Sequence, residues 1–227
     1  MDTGERAYEK IINYVEQQVM QGRYKKGDKL PPERELAALL GASRNSVREG
    51  LGILERMGAI SSQQGAGNFI SDNFEKTLVE VMTLMFILEE GTFREISEFR
   101  YALETQALAL AMEHISKKQL ADIEYYMSML EKTPEEDMKA YYDKKIHYTI
   151  TAASGNRFII DNLQALTAVM DVFIKDMRAK ILSDGSNSEG LMAAHREMVE
   201  ALREKNMEKG MLALKVHFEY IYEYIDG

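Results

Sequence analysis

The chain has 227 residues, which is enough for one large or two ordinary domains. It contains no cysteine, so a disulfide scaffold, a thiolate metal site and a cysteine nucleophile are excluded. The net charge of −9 is uneven, because residues 1–71 carry 10 Lys and Arg against 9 Asp and Glu, which leaves 18 against 28 for residues 72–227. An acidic body cannot hold nucleic acid by bulk charge, so any DNA contact must come from a local basic patch in the N-terminal part.

The N-terminal residues predict neither export nor membrane insertion. Met1 is followed by acidic residues and an amphipathic segment, unlike the basic and then apolar pattern of a signal peptide. The longest apolar run, about 81–88, is far shorter than the roughly 20 residues that cross a bilayer. We therefore expect a cytoplasmic protein with no membrane partner.

Two helices are predicted in the first 40 residues. Apolar residues at three- and four-residue spacing indicate a helix over about 5–21. A short second helix is predicted from Pro32, which suits the first helical position, to Leu40. Gly41 can end this helix, because glycine adopts the left-handed conformation that commonly follows a helix.

A third predicted helix carries candidate DNA-reading residues. Ser43 or Ser46 can cap its start, Gly58 can end it, and its buried stripe would be Val47, Leu51 and Leu54. Arg44 and Arg48 are four residues apart and project together from the exposed face near the helix start. Two short helices joined by a tight turn, with arginines at the start of the second, are typical of a helix placed in the major groove. An arginine there can bind a guanine edge or grip a phosphate.

A β-hairpin is predicted behind this helix. Residues 59–62 and 68–70 can pair, with Gly65 and Gly67 at the tip, where glycine permits a tight turn and a close backbone approach to phosphate. This hairpin would form a wing. Residues 61–64 read Ser-Ser-Gln-Gln, so we expect its phosphate contacts to be weak and made largely by backbone.

Several short motifs stand in close succession here: Leu-Pro-Pro-Glu-Arg-Glu-Leu-Ala at 30–37, Gly-Ala-Ser-Arg at 41–44, Val-Arg-Glu at 47–49 and Gly-Ala-Gly-Asn-Phe at 65–69. Over about Tyr8 to Ile70 they resemble the winged helix-turn-helix of GntR-type bacterial transcription regulators. The resemblance implies that phosphates and base edges are held by six residues, namely Arg34, Arg44, Asn45, Ser46, Arg48 and Gly65. Arg34 taken alone is equally well explained as a solvated helix residue.

The chain departs from that family at two places. Members often have serine where Pro32 stands, and they often carry a basic residue in the wing. The absence of charge over 61–64 therefore predicts a weaker phosphate contact at the wing, made largely through the backbone.

The remaining chain predicts helices almost without interruption. Thr92 and Glu95 form a capping-box pattern, as do Ser116 and Gln119. Helices are predicted over residues 74–90, 93–114, 117–131, 135–153, 157–182, 188–204 and 207–225. The predicted fold is mostly α: a winged helix-turn-helix domain over 1–71, followed by an all-α antiparallel helical bundle over 72–227.

Three histidines and one aspartate are predicted to enter the bundle from three helices. His147 lies four residues after Asp143, so both side chains leave one helix face, and His195 and His217 lie on apolar stripes of two later helices. A lone histidine on such a stripe is more often a hydrogen-bonded core residue than a ligand. Three buried together beside a carboxylate would need many polar partners, which one divalent cation supplies at once. Zinc is the first candidate, with nickel, manganese and iron as alternatives, since these ligand types do not choose among them.

The same residues resemble the ligand set of the metal-containing FadR C-terminal domain, or FCD domain, over roughly Phe74 to Tyr224. In that group the metal takes part in binding a small carboxylate effector, and an arginine from an earlier helix assists. The matching arginine is Arg100, although the residues alone also allow it simply to pair with Glu104. Acyl-CoA-binding relatives lack this constellation, so a small organic or sugar acid is expected.

The sequence therefore predicts a homodimeric transcription regulator of the FadR subfamily rather than an enzyme. It would bind a palindromic operator with affinity controlled by the acid. Two alternatives stay open. One is a metal-dependent hydrolase, and the other is a regulator that responds to the metal ion itself.

Overall fold

A computed structural model describes residues 6–72, 74–173 and 185–226. The chain divides into two compact units, Met1–Thr77 and Leu78–Gly227. No helix within the described residues is both long and apolar enough to pass through a bilayer.

The first unit contains three helices and a two-stranded hairpin. In chain order these are α1 Ala7–Met20, α2 Glu33–Leu40, α3 Arg44–Arg56, β1 Ile60–Gln63 and β2 Gly67–Ile70. The three helices and the hairpin bury one apolar core of Ile11, Val15, Leu30, Leu36, Val47, Leu51, Leu54, Ile60 and Ile70. The predicted stripe of α3 is thus part of this core.

The helix ends confirm most of the predicted capping. Gly41 follows α2 with a φ of +59°, and the Ser43 hydroxyl accepts a hydrogen bond from the backbone N–H of Ser46 at 3.1 Å. Pro32 differs from the prediction, because it occupies the N-cap with an extended ψ of 150° instead of the first helical position. The difference is small in energy, since its missing N–H has no intrahelical acceptor at either position.

The hairpin is the predicted wing with strands shifted by a residue. β1 and β2 are antiparallel, with Ile60 opposite Ile70 and Gln63 opposite Gly67. The segment before α2 adds to β2 as a short third edge: the Leu30 N–H donates to Asn68 O at 2.8 Å, and the Ile70 N–H donates to Asp28 O at 2.8 Å. These hydrogen bonds fix the segment before α2 beside the wing, although it lies about 40 residues earlier in the chain.

The second unit is a helical bundle. Its helices are α4 Glu75–Leu88, α5 Phe93–His114, α6 Lys117–Lys132, α7 Glu136–Ala153, α8 Arg157–Phe173, α9 Gly185–Glu204 and α10 Met207–Asp226. Both predicted capping boxes, at the starts of α5 and α6, are present. The predicted helix over 157–182 is described only to Phe173, so its remaining residues lie outside the described part.

The bundle core places α5 between α7 and α10. α9 packs against α10 and α6, and α8 packs against α5 and α7. The largest apolar cluster joins side chains of α5, α6, α7, α9 and α10, among them Leu108, Ile123, Leu130, Ile146, Met198, Leu202 and Phe218. Polar side chains on the inner faces of α5, α7, α9 and α10 therefore meet in the interior.

Candidate metal centre and nucleic-acid interface

Four helices bring a polar cluster into the interior of the bundle. Each member is at most 6% exposed, and the cluster contains Arg100 and Glu104 of α5, Asp143 and His147 of α7, His195 of α9 and His217 of α10. The two pairs on α5 and α7 have the four-residue spacing that places side chains on one helix face. The structure thus brings together all four residues predicted as metal ligands.

The three imidazoles lie in mutual contact. Their ring centroids are 4.6 to 5.3 Å apart, and one nitrogen from each ring lies within 4.8 Å of the others. His147 Nε2 is 3.2 Å from His195 Nε2, and His195 Nε2 is 3.0 Å from Asp143 Oδ1. Ligands about 2.1 Å from a tetrahedral zinc ion are separated by about 3.4 Å, which is close to these spacings.

Hydrogen bonds on the far sides of two rings define which nitrogens face the centre. His147 Nδ1 lies 2.7 Å from Glu104 Oε2, and His195 Nδ1 lies 2.9 Å from Leu191 O. An ionised carboxylate and a carbonyl only accept, so each Nδ1 donates and each ring turns its Nε2 toward the centre. The Nε2 atoms of His147 and His195 and the Asp143 carboxylate thus converge on one point, as the ligands of a metal ion do.

His217 adds a third ring to the cluster. Neither its Nδ1 nor its Nε2 has a hydrogen-bond partner among the described residues, although both atoms are buried. Burial, followed by the nearby His195 and His147, holds the pKa of His217 well below its usual value, so this ring stays neutral. A metal ion would provide one of these nitrogens with the partner that the described residues do not.

Glu104 connects this cluster to Arg100. Its Oε1 accepts from Arg100 Nε at 2.5 Å, while its Oε2 contacts His147. Burial opposes ionisation, but the charge of Arg100 and the hydrogen bonds with His147 and Arg100 outweigh it and lower the pKa of Glu104 to about 2. The guanidinium of Arg100 also lies over the Phe218 ring, 5.4 Å from its centroid. The pairing of Arg100 with Glu104 that the sequence allowed is therefore present.

A cavity reaches the cluster from another side. It has a volume of about 170 Å³ and is bordered by Asp143 and His195 together with two cationic side chains, Lys139 and Arg196. Both cations also have acidic partners, since Lys139 Nζ lies 3.0 Å from Glu136 Oε1 and Arg196 pairs with Glu131. The acidic Glu189 lies at the same cavity, which thus borders two of the predicted ligands, Asp143 and His195.

The predicted DNA-reading residues lie on the surface of the first unit. Arg34, Arg44, Asn45 and Arg48 are exposed and Ser46 is half-buried. The Arg48 guanidinium donates from Nε to Glu33 Oε2 at 2.8 Å, which holds it across the turn between α2 and α3. An exposed ion pair of this kind is weak, so a phosphate or a base edge can replace the carboxylate.

The wing gains a positive charge from outside the hairpin. Gly65 is exposed at the tip with a φ of +75°, a conformation that favours glycine. Lys29 pairs with Phe69 of β2, and its ammonium lies 5.9 Å from the centroid of that ring. Although β1 has no charged residue, Lys29 therefore gives this edge of the wing a positive charge.

Comparisons with known proteins identify both units. Residues 7–70 match bacterial regulatory proteins of the gntR family, and residues 95–220 match the FCD domain. The chain belongs to the FCD-containing GntR regulators. It is a DNA-binding transcription regulator that joins a winged helix-turn-helix to an FCD domain, a type of domain that responds to ligands.

Several relatives of this GntR-family chain are regulators as well. The HTH-type transcriptional repressor NanR of Salmonella newport is 23% identical over 217 residues, which cover 94% of this chain and 83% of the relative. The Uxu operon regulator of Haemophilus influenzae is 24% identical over 219 residues, covering 95% and 80%. Among solved structures, Streptococcus agalactiae GntR superposes with a TM-score of 0.66 at 25% identity, covering 95% of this chain and 99% of that one.

Two residues of this GntR-family chain make contacts at the candidate sites that the sequence did not predict. The sequence indicated Glu104 only as a partner of Arg100, although its four-residue spacing from Arg100 places it on the inner face of α5. Lys29 gave no sequence signal, because it approaches Phe69 across 40 residues of chain. Only the folded first unit brings this lysine to the wing.

Proposed function

We propose that this protein is a homodimeric, FadR-like regulator whose affinity for a palindromic operator is controlled by a small organic or sugar acid. The acid would bind at a divalent metal, with zinc as the first candidate and nickel, manganese or iron as alternatives, held by Asp143, His147, His195 and His217. One observation carries the proposal: three buried imidazoles converge beside the Asp143 carboxylate, and neither nitrogen of His217 has a hydrogen-bond partner among the described residues. A bound metal would supply a Lewis-acid contact for one carboxylate oxygen.

Cationic side chains support a carboxylate as the effector. Arg100 lies behind His147, joined to it through Glu104, and we propose that it assists in holding the acid. Lys139 and Arg196, together with the acidic Glu189, border the cavity that reaches Asp143 and His195. Positive side chains beside a metal favour an anion over a neutral ligand. A relative in Escherichia coli, 27% identical over 202 residues, has a name that assigns it to the L-lactate dehydrogenase operon.

The DNA contacts proposed for each subunit follow the exposed side of the first unit. Arg34, Arg44, Asn45, Ser46 and Arg48 would meet phosphates and base edges, and Gly65 would bring the wing backbone to a phosphate. Lys29 would add one charge at the wing. Because residues 72–227 are acidic, we expect affinity to depend on these few cations and to fall with salt.

A homodimer is supported by the surface of α4. Five of its apolar residues are each 55 to 69% exposed in the single chain, namely Val81, Leu84, Met85, Ile87 and Leu88. An exposed apolar patch of this kind usually marks an interaction surface, and a second copy of the chain would cover it symmetrically. Two subunits would present two copies of α3 to a two-fold symmetric operator in the cytoplasm.

Elemental analysis combined with native mass spectrometry is the first test. We expect two subunits, each with one divalent metal that is lost from His195→Ala. Operator binding is then measured with the metal-free protein, with zinc, and with zinc plus each member of a panel of small organic and sugar acids. An acid that changes operator affinity only when zinc is present supports the proposal. A metal-free native protein that also fails to take up zinc contradicts it.

The same cluster supports a second function, in which the metal ion is itself the signal. Three histidines and one aspartate are enough to fill a tetrahedral zinc site without any external ligand. In that case operator affinity would follow zinc occupancy and no acid would change it. We propose no catalytic role, and turnover of candidate esters or amides by the zinc-loaded protein would favour a hydrolase instead.

A further inference from the structure

Glu104 is a buried carboxylate with two distinct partners. It is 6% exposed, and its two oxygens point in different directions, Oε1 to Arg100 Nε and Oε2 to His147 Nδ1. Its contact with the Arg100 guanidinium is an ion pair as well as a hydrogen bond, and such contacts are stronger than ordinary hydrogen bonds. Glu104 itself is not a proposed metal ligand, because it contacts Nδ1 of His147, the nitrogen that faces away from the centre of the cluster.

The contact with His147 decides which nitrogen of that ring is available. A neutral imidazole carries one proton, and a carboxylate beside Nδ1 keeps the proton there. Nε2 is then left unprotonated, 3.2 Å from His195 Nε2 and 3.8 Å from Asp143 Oδ1. The other tautomer would direct an N–H at these groups and remove His147 from the set of available ligands.

The same carboxylate restricts the ring in space. His147 projects from α7 and Glu104 from α5, so the hydrogen bond ties the ring to a second helix. Carboxylate partners of metal-binding histidines commonly fix both ring orientation and basicity, and their loss weakens metal binding about 10- to 100-fold.

We propose that Glu104 is the positioning residue of the metal centre, and that it makes the metal ligand His147 and the acid-binding Arg100 share one carboxylate. This inference rests on the proposed function, because it presumes a metal at the cluster. An acid that binds Arg100 competes with Glu104 for the guanidinium, and Glu104 then interacts more strongly with His147. The two ends of the effector site are thereby coupled within the protein.

The test uses zinc alone as the probe and Glu104→Gln in the full-length protein. A chelator competition gives the zinc dissociation constant, and the ¹⁵N shifts of the His147 ring in the metal-free protein give its tautomer. The amide that replaces the carboxylate can offer either an oxygen or an NH₂ group, so the Nδ1–H tautomer is no longer imposed. We expect zinc affinity to fall about 10- to 100-fold and the tautomers to mix. Glu113→Gln, an exposed change on the same helix, should alter neither quantity.

A second variant covers the case in which Glu104→Gln does not fold, since it leaves Arg100 buried without its full counter-charge. Arg100→Met combined with Glu104→Leu removes both charges, an exchange that is often neutral for stability. It should also weaken zinc binding and mix the His147 tautomers. Unchanged zinc affinity and tautomer in the Glu104 variants would overturn the positioning role alone. Failure of the wild-type protein to bind zinc would remove the metal centre itself and, with it, this inference.

Discussion

His217 provides a variant whose effect on stability should reverse sign with metal. In the metal-free protein both ring nitrogens are buried without a hydrogen-bond partner among the described residues. Leucine has nearly the same volume and no polar atoms, so His217→Leu removes this cost and introduces little strain. With zinc present, the wild-type ring would be a ligand and the leucine would not.

The magnitude follows from the number of unpartnered atoms. Each buried polar group left unsatisfied costs about 1 to 3 kcal/mol, so His217→Leu should raise the free energy of unfolding of the metal-free protein by at least about 1 kcal/mol. In a domain of this size each kcal/mol corresponds to about 2 to 4 °C in Tm. Free zinc at about 1,000 times its dissociation constant stabilises the wild-type protein by about 4 kcal/mol, so the wild type should then be the more stable of the two.

Thermal and urea unfolding, each measured with EDTA and with zinc, would show whether zinc reverses the order of stability of wild type and His217→Leu. His114→Leu is the matched control, because His114 is exposed at the end of α5 and should change stability little under either condition. A metal-free His217→Leu protein that is less stable than wild type would show that the ring is satisfied in another way. The same conclusion would follow if zinc stabilised the variant as much as the wild type.

Three further outcomes are expected. Arg44→Ala or Arg48→Ala should weaken operator binding and leave metal content and subunit number unchanged, as measured by fluorescence anisotropy and native mass spectrometry, because both side chains are exposed. Lys29→Ala should weaken binding to all DNA sequences about equally and reduce the slope of log K against log salt by about 1, as one phosphate contact is lost. Burial depresses the pKa of His217 in the folded protein, so its contribution to stability is present above the usual value of 6.5 and is lost as the pH falls below it. Urea unfolding of the metal-free protein should therefore show a steeper loss below that pH for wild type than for His217→Leu.

Each of these outcomes has a result that opposes it. Unfolding of the Arg44 variant would contradict its surface placement, and an unchanged salt slope for Lys29→Ala would remove this lysine from the interface. Salt dependence must be measured on both specific and random duplexes, because a base contact would affect only the former. Parallel pH profiles for wild type and His217→Leu would show that His217 takes up its proton equally in both states.

Much of the fold could be predicted from local sequence. Capping residues such as Ser43 and Thr92 act within a few residues of themselves, so their helix starts are legible without tertiary information. The stripe of Val47, Leu51 and Leu54 likewise reports which face of α3 is buried. Helix-face spacing placed Asp143 and His147 together, because four residues make slightly more than one turn.

The sequence alone therefore determined where the helices and strands lie, which of their faces are buried and which side chains those faces carry. The tertiary structure decided which atoms meet. Only the packing of α5 against α7 sets Glu104 behind His147, and only the pairing of the segment before α2 with β2 carries Lys29 to the wing. Both contacts join residues about 40 positions apart in the chain. Neither produces a periodic pattern in the sequence, because each depends on how helices and strands are oriented in space and on the rotamers of single side chains.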